Sequence, residues 1–419
     1  MDREDYHQQE LSLFMAPPSD VSLQTREWIE YTPTHQLTDG GPLEFNIPAQ
    51  SAAYADLKRS KLRIKLRLVY ADGKPVSDSD VLAFANLPLH TIFGQVEVAF
   101  QQTPLSHTGN NYAYKAYIDT ILKSNTAEQE GALSAQLFYK DDVDVGTNDA
   151  KTGSNTGLKK RYNRTLAGVI VDLEGALHLD LFRQPKLLIN GVHIGLKLWQ
   201  TPDAFRIITD NLSPTYKAQI VDARFKLCIQ RPQSAILLAH EKLIQDGPAI
   251  YPYLRSEIKT MSIASGQYSF SADDAFQGQV PCKLIVGMVS AKAYTGDYEQ
   301  NPFNFKHYDC GLVGFYVDGT SYPSKALQPN YEGDQYVDCY KTLTTFRKDV
   351  NVSYSEYKKG YCLYVLDIDP YYSFNTKRKG HCRLELGFSK PLPESVTVIL
   401  YATFPEVLNI DKSRSVFVK

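Results

Sequence analysis

No stretch of this chain stays apolar over the roughly 18 residues that a membrane-spanning helix needs. The opening residues, MDREDYHQQE, are polar and acidic, which is not the pattern of a secretory signal. With no such signal, the sequons at Asn163, Asn211 and Asn351 are read as chance. Cysteine is sparse: Cys228, Cys282, Cys310, Cys339, Cys362 and Cys382 include no C-x-x-C pair, so zinc-ligand spacing is missing and buried free thiols are expected. Tryptophan (2) and methionine (4) are scarce, and the formal net charge of −2 excludes the basic field of a dedicated nucleic-acid binder. G-x-S-x-G, P-loop, H-E-x-x-H and G-x-G-x-x-G motifs are all absent, so no catalytic, cofactor-binding or metal residue is assigned and no enzyme activity is expected.

What the chain does have is tyrosine (28), phenylalanine (19), and proline (22) and glycine (25) scattered along its length, a composition of short strands and many turns. Its 419 residues suit two domains of about 200 each. Lys61-Leu62-Arg63-Ile64-Lys65-Leu66-Arg67-Leu68 alternates strictly, predicting a strand with one buried and one cationic face. That face suits either phosphate or an acidic neighbour, or is simply solvated. Gln95-Val96-Glu97-Val98-Ala99-Phe100 is a second alternating strand. Tyr114, Tyr117, Ile118 and Ile121 then fall at helical spacing behind a capping Asn111. A short second helix is expected over 127–138 and another over 334–347. Residues 140–163 read as a long exposed polar loop. Further strands are expected at 169–173, 177–181, 186–189, 193–199, 218–229, 268–270, 283–289, 311–317, 362–366, 382–388 and 396–402. Residues 234–245 form a linking helix or a strand near the domain junction.

The second half replays the first. His90 precedes Gly94 by four residues, and His307 precedes Gly311 by four; a strand and then Pro104 or Pro323 follow, and next an aromatic-bearing helix. The two glycines lie 217 positions apart (311 against 94), and the strand from Lys61 pairs with that from Pro281 at 220. Downstream, 177–181 pairs with 362–366 at 185, and 193–199 with 382–388 at 189. The drop of about 30 positions is what a surface insertion in the first copy produces. With roughly eight strands and one helix in each half, the expected fold is all-β, a double jelly roll of two eight-stranded antiparallel barrels or sandwiches with short inserted helices. The expected division is an arm at 1–20, a first jelly roll at 21–240 with its long loop near 140–163, and a second at 241–419.

Three weak chemical signals are best explained structurally. His178 and His193 lie fifteen residues apart, without the tight cluster that a cupin-like metal site needs. Asp142-Val143-Asp144-Val145-Gly146 lacks the remaining ligands of a calcium loop. Asp367 and Asp369 share a strand face but have no partner acid for glycosidase chemistry.

Several segments resemble the major capsid proteins of Polinton (Maverick) elements and adintoviruses. They are Leu87-Pro88-Leu89-His90-Thr91-Ile92-Phe93-Gly94-Gln95-Val96, then Phe182-Arg183-Gln184-Pro185-Lys186-Leu187-Leu188-Ile189-Asn190-Gly191-Val192, then Asn301-Pro302-Phe303-Asn304-Phe305 with Gly311-Leu312-Val313-Gly314-Phe315-Tyr316-Val317-Asp318-Gly319. The patterns are diffuse and cover most of residues 25–410. The resemblance implies a hexon-like double jelly roll that forms homotrimeric, pseudo-hexagonal capsomers tiling an icosahedral shell. It implies a virion protein, made in the host cytoplasm and assembled there or in the nucleus. Its implied partners are further copies of itself and a penton or minor capsid protein; no cofactor, no sequence-specific nucleic acid and no transmembrane segment are implied. Other functions open to the sequence are a minor capsid or vertex protein of the same elements, a carbohydrate-binding β-sandwich and a metal-dependent bicupin.

Overall fold

A computed structural model describes residues 21–37, 40–105, 109–142, 145–213 and 215–418. The expected arm at 1–20 and part of the polar turn after Pro104 lie outside the described residues.

The Lys61–Leu68 alternation behaves as the period-two rule requires. Leu62, Ile64, Leu66 and Leu68 are fully buried, while the basic residues between them face outward. They sit in β3 (Tyr54–Tyr70), a central strand of the sheet β1-β10-β3-β7 with β1 (Leu23–Tyr31), β7 (Val171–Gly175) and β10 (Tyr216–Pro232). A second sheet, β2-β8-β5-β6, is built from β2 (Leu43–Ile47), β5 (Phe93–Phe100), β6 (Thr103–Pro104) and β8 (Ile194–Gln200). Phe45 of β2 meets Phe225 of β10 across the sandwich, with ring centroids 6.1 Å apart. A ribbon of β4 (Leu82–Phe84) and β9 (Ile207–Thr209) lies beside it.

The remaining strands repeat this plan. β11 (Ala249–Ile263), β13 (Lys283–Ser290), β16 (Leu363–Asp367) and β18 (Val396–Ile410) form β11-β18-β13-β16, to which β19 (Val416–Val418) adds on β18. β12 (Ser269–Asp273), β14 (Cys310–Val317), β15 (Thr320–Leu327) and β17 (Cys382–Phe388) form β12-β17-β14-β15. With the β4–β9 ribbon and β19 set aside, each half has eight antiparallel strands in the order 1-8-3-6 facing 2-7-4-5. That is a jelly roll, twice. Pro104 and Pro323 both fall on the outermost strand of their sheets, where a missing N–H costs no ladder bond.

The halves also match in register. β5 and β14 begin 217 positions apart (93 and 310), and β8 and β17 begin 188 apart (194 and 382). One expected pairing is corrected: the partner of β16 is β7, 192 positions upstream (171 against 363), and not 177–181. The chain leaves the sheet at Gly175, and the apolar alternation of Leu177, Leu179 and Leu181 continues only because those side chains press into the core. The 186–189 strand likewise reduces to a single bridge between Leu188 and Ala55.

The expected helices form at Tyr112–Lys123 and Val337–Phe346, each after the fifth strand of its roll. The 127–138 helix breaks at Gly131 into Thr126–Glu130 and a 3-10 turn, Ala132–Gln136. Residues 234–245 are helical, within Ser234–Asp246. Asn111 does not cap its helix with its side chain; its Oδ1 accepts from the Tyr294 hydroxyl at 3.0 Å instead. The expected exposed loop at 140–163 is also corrected. It runs into the helix Thr156–Thr165, and Asp141, Val145, Asn155, Leu158 and Arg161 within it are buried.

Candidate functional site

The cationic face of β3 is the first candidate for a contact surface. Register brings β7 and β10 alongside it, and the acids of β7 meet the bases of β3 and β10. Arg63 Nε donates to Asp172 at 2.9 Å, and Lys61 and Lys226 reach Glu174 at 3.3 and 2.6 Å. Arg224 pairs with Glu30 at 3.0 Å, and Arg67 Nε donates to Gln219 at 2.7 Å. The Arg63 hydrogen bond holds the Asp172 carboxyl below its ordinary range. Burial raises Glu174, but Lys226 and Lys61 outweigh it and lower its pKa. The face is a mixed-charge surface, and Asp172 and Glu174 lie more than a hundred residues further along the chain than the β3 bases they meet, where no local pattern links them to β3.

Polar groups concentrate where the two rolls meet. Asp119, on the helix Tyr112–Lys123, accepts from the Tyr401 hydroxyl of β18 at 2.9 Å and pairs with Lys123 at 2.5 Å. Arg183 Nη1 stands 2.8 Å from Asp119 Oδ2, an ionic contact off hydrogen-bond alignment. Asp180 receives Lys115 at 2.5 Å and both the backbone N–H and the hydroxyl of Ser256 from β11, at 2.7 and 2.8 Å. Burial pushes the Asp119 carboxyl up, but Arg183 and Lys123 overcome it and leave the pKa well below the ordinary value. His178 lies here, beside His90 at 4.6 Å between ring centroids. Burial lowers His178 to about 4 against the pull of Asp119, and lowers His90 well below the usual histidine value. His193 instead bonds Asn46, so the histidine pair that the sequence offers is not the pair that forms. Each ring is held by protein partners, as satisfied structural histidines are: His90 bonds Tyr112 at 2.9 Å and Gln136 at 3.0 Å.

A second polar clamp lies in the segment expected to be a loop. Asp141 and Arg161 form an ion pair at 2.8 Å with both side chains fully buried. Arg161 also donates to the carbonyls of Phe84 and Tyr139 at 3.0 and 2.9 Å. Across the junction, Asn301 Nδ2 donates to the Val145 carbonyl at 2.9 Å and Lys140 pairs with Glu356 at 2.8 Å. Tyr117 stacks on Phe303 at 4.1 Å with the rings 7° from parallel. The extra residues of the first copy therefore bind the second roll.

The other chemical signals assemble no site. Asp367 and Asp369 border a cavity of about 230 Å³ with Asp119, Lys123 and Lys283. The calcium-like segment includes residues 143–144, which lie outside the described residues. Among the described residues no group of three or more His, Cys, Asp or Glu is placed to hold a metal, and no helix is long and apolar enough to cross a membrane. All six cysteines are buried and unpaired. Burial raises the Cys310 thiol to about 12 and the Cys382 thiol to about 11, so neither is a ready nucleophile.

Two jelly rolls of one topology, joined through buried polar contacts, define a double jelly-roll protein. Solved structures share the fold. A chain from the Sputnik virophage superposes with a TM-score of 0.67 at 11% identity, over 99% of this chain and 92% of its own. The Faustovirus major capsid protein gives 0.57 at 11%, over 97% and 94%. The mavirus major capsid protein gives 0.55 at 12%, over 97% and 92%. In sequence, an uncharacterised protein of Caenorhabditis elegans is 25% identical over 429 residues, 95% of this chain and 98% of its own length. No family model matches.

Proposed function

We propose that this chain is the major capsid protein of a virus or virus-like element and acts by assembly rather than by catalysis. The observation that carries the proposal is the internal repeat: two rolls with identical strand order in one chain. Three such chains around an axis present six similar units, so one gene product fills hexagonal positions in a shell. The fold shared with viral major capsid proteins over nearly their whole length supports this reading. So does the resemblance of 87–96, 182–192, 301–305 and 311–319 to Polinton and adintovirus capsid proteins. A nematode relative of matching length fits an element carried in an animal genome.

On this reading 21–240 and 241–419 are the two rolls, and 1–20 is an arm. The partners are two further copies, then neighbouring capsomers and a penton protein, and the location is the virion after synthesis in the host cytoplasm and assembly there or in the nucleus. A vertex protein with a single roll is disfavoured by the second roll, and a bicupin by the histidine placement. Native mass spectrometry tests the proposal. The expected species is three times the 47.2 kDa chain. A species of five chains would favour the vertex role, and a monomer at every concentration would remove the capsomer.

A further inference from the structure

An apolar groove of about 780 Å³ lies at the junction of the rolls. One side comes from the first roll, through Tyr54, Leu187 and Ile189, and another from the start of β11, through Ile250 and Tyr251. The helix Ser234–Asp246, which connects the rolls, forms the third wall with Ile236, Leu243 and Ile244. Of that helix's thirteen residues only Ile244 is buried. Of the lining residues, Leu243 is 62% exposed, Ile250 51% and Leu23 40%. A row of large apolar side chains left in water around one groove marks a surface that something covers.

The groove is held open by its own bonds. The Tyr54 hydroxyl and His240 Nδ1 are 2.9 Å apart with stacked rings. The Tyr251 hydroxyl accepts from Ile189 N–H at 3.0 Å and donates to the Leu187 carbonyl at 3.2 Å. Lys186 Nζ donates to the Ile250 carbonyl at 2.7 Å. These bonds satisfy the polar groups of the walls and leave an apolar concavity whose size falls within the range of preformed binding pockets.

Where the described chain begins points to the occupant. Ser22 and Leu23 themselves line the groove, so the chain enters from its edge. Just upstream the sequence reads Leu11-Ser12-Leu13-Phe14-Met15-Ala16-Pro17-Pro18, a dense apolar run behind a polar, acidic decapeptide. Met15 and Val21 are six positions apart, a reach of about 20 Å when extended. We propose that residues 11–16 of the same chain dock into this groove and cover the exposed face of the linking helix. The segment would thereby bind both rolls, a role independent of whether the chain builds a shell.

Cysteine pairing in the full-length chain tests this. Leu243 is mostly exposed, so its replacement leaves the core intact, and the six native thiols are buried. In Phe14→Cys/Leu243→Cys, mild oxidation is expected to give an intrachain disulfide, running at monomer mass on non-reducing gels. It should form at least tenfold faster than in the control Phe14→Cys/Tyr371→Cys, because docking raises the local thiol concentration; Tyr371 is 94% exposed and does not line the groove. A second readout is hydrogen exchange of residues 236–244, which should speed up when residues 2–16 are deleted. Equal rates in the two cysteine pairs with unchanged exchange would overturn the proposal. A disulfide joining positions 14 and 243 at dimer mass would overturn it too, by assigning the groove to a neighbouring copy's segment.

Discussion

Gly94 and Gly311 sit at the same irregularity in the two rolls. Each is the residue skipped where the fourth strand shifts register against the seventh, between Phe93 and Gln95 in β5 and between Cys310 and Leu312 in β14. The surroundings match as well. Thr201 N–H donates to the Ile92 carbonyl at 2.9 Å, and Ser389 N–H to the Asp309 carbonyl at 2.9 Å. A kink of this kind re-aims the strand and sets the register of every pair beyond it.

The two glycines differ in their room for a side chain. A Cβ at Gly94 would lie 3.4 Å from Thr201 Cγ2, an ordinary contact, whereas one at Gly311 would lie 2.9 Å from Ser389 Oγ. Gly311→Ala is therefore expected to cost about 1 kcal/mol and Gly94→Ala less than about half of that. Adding Ser389→Ala to Gly311→Ala should recover most of the loss in denaturant melts. Equal costs at the two sites would show that backbone conformation, not the serine, governs the bulge.

Asp141 and Arg161 neutralise one another with no exposure to water. Asp141→Ala strands the guanidinium in the interior and should lower stability by about 3–5 kcal/mol. The double variant Asp141→Leu/Arg161→Met removes both charges and should lie well above the single variant. Chemical denaturation of the three proteins gives the comparison; a double variant worse than Asp141→Ala would mean that the carbonyl contacts of Arg161 outweigh its charge.

Acid should weaken the junction before it protonates most carboxylates. His178 has a folded pKa of about 4, below its usual 6.5, and His90 is shifted the same way. The unfolded chain then binds more protons, so their contribution is complete above about pH 6.5 and is lost as pH falls toward 4. For His178 the shift corresponds to about 3 kcal/mol. Thermal melts between pH 7 and 4 should show a falling Tm, flattened in His178→Gln. A Tm indifferent to pH over that window would contradict the assignment.

Charge pairing on β3 predicts weak attraction for polyanions. Replacing Lys61, Arg63, Lys65 and Arg67 with Gln together should change retention on a heparin column only slightly, since Asp172 and Glu174 already neutralise much of the face. Loss of a strong retention by the wild-type chain would restore this face as a polyanion site.

The alternation of β3, the 217-position offset and the aromatic helices are legible in the sequence because each is a local pattern. The start of β1 is not legible because it is an edge strand, exposed over most of its length, with no apolar period. Residues 177–181 imitate a strand because the core selects for apolar alternation whether or not a ladder exists. The 140–163 segment reads as solvated because composition does not tell a buried Asp141 from an exposed aspartate; only its partner Arg161 does. The junction network is invisible for the same reason: Asp119 and Tyr401 meet from 282 positions apart.

Negative-stain electron microscopy of the purified chain tests the central claim most directly. The account predicts particles with threefold symmetry and six similar lobes, two from each chain. Isolated two-lobed monomers at all concentrations, or fivefold rings, would contradict it.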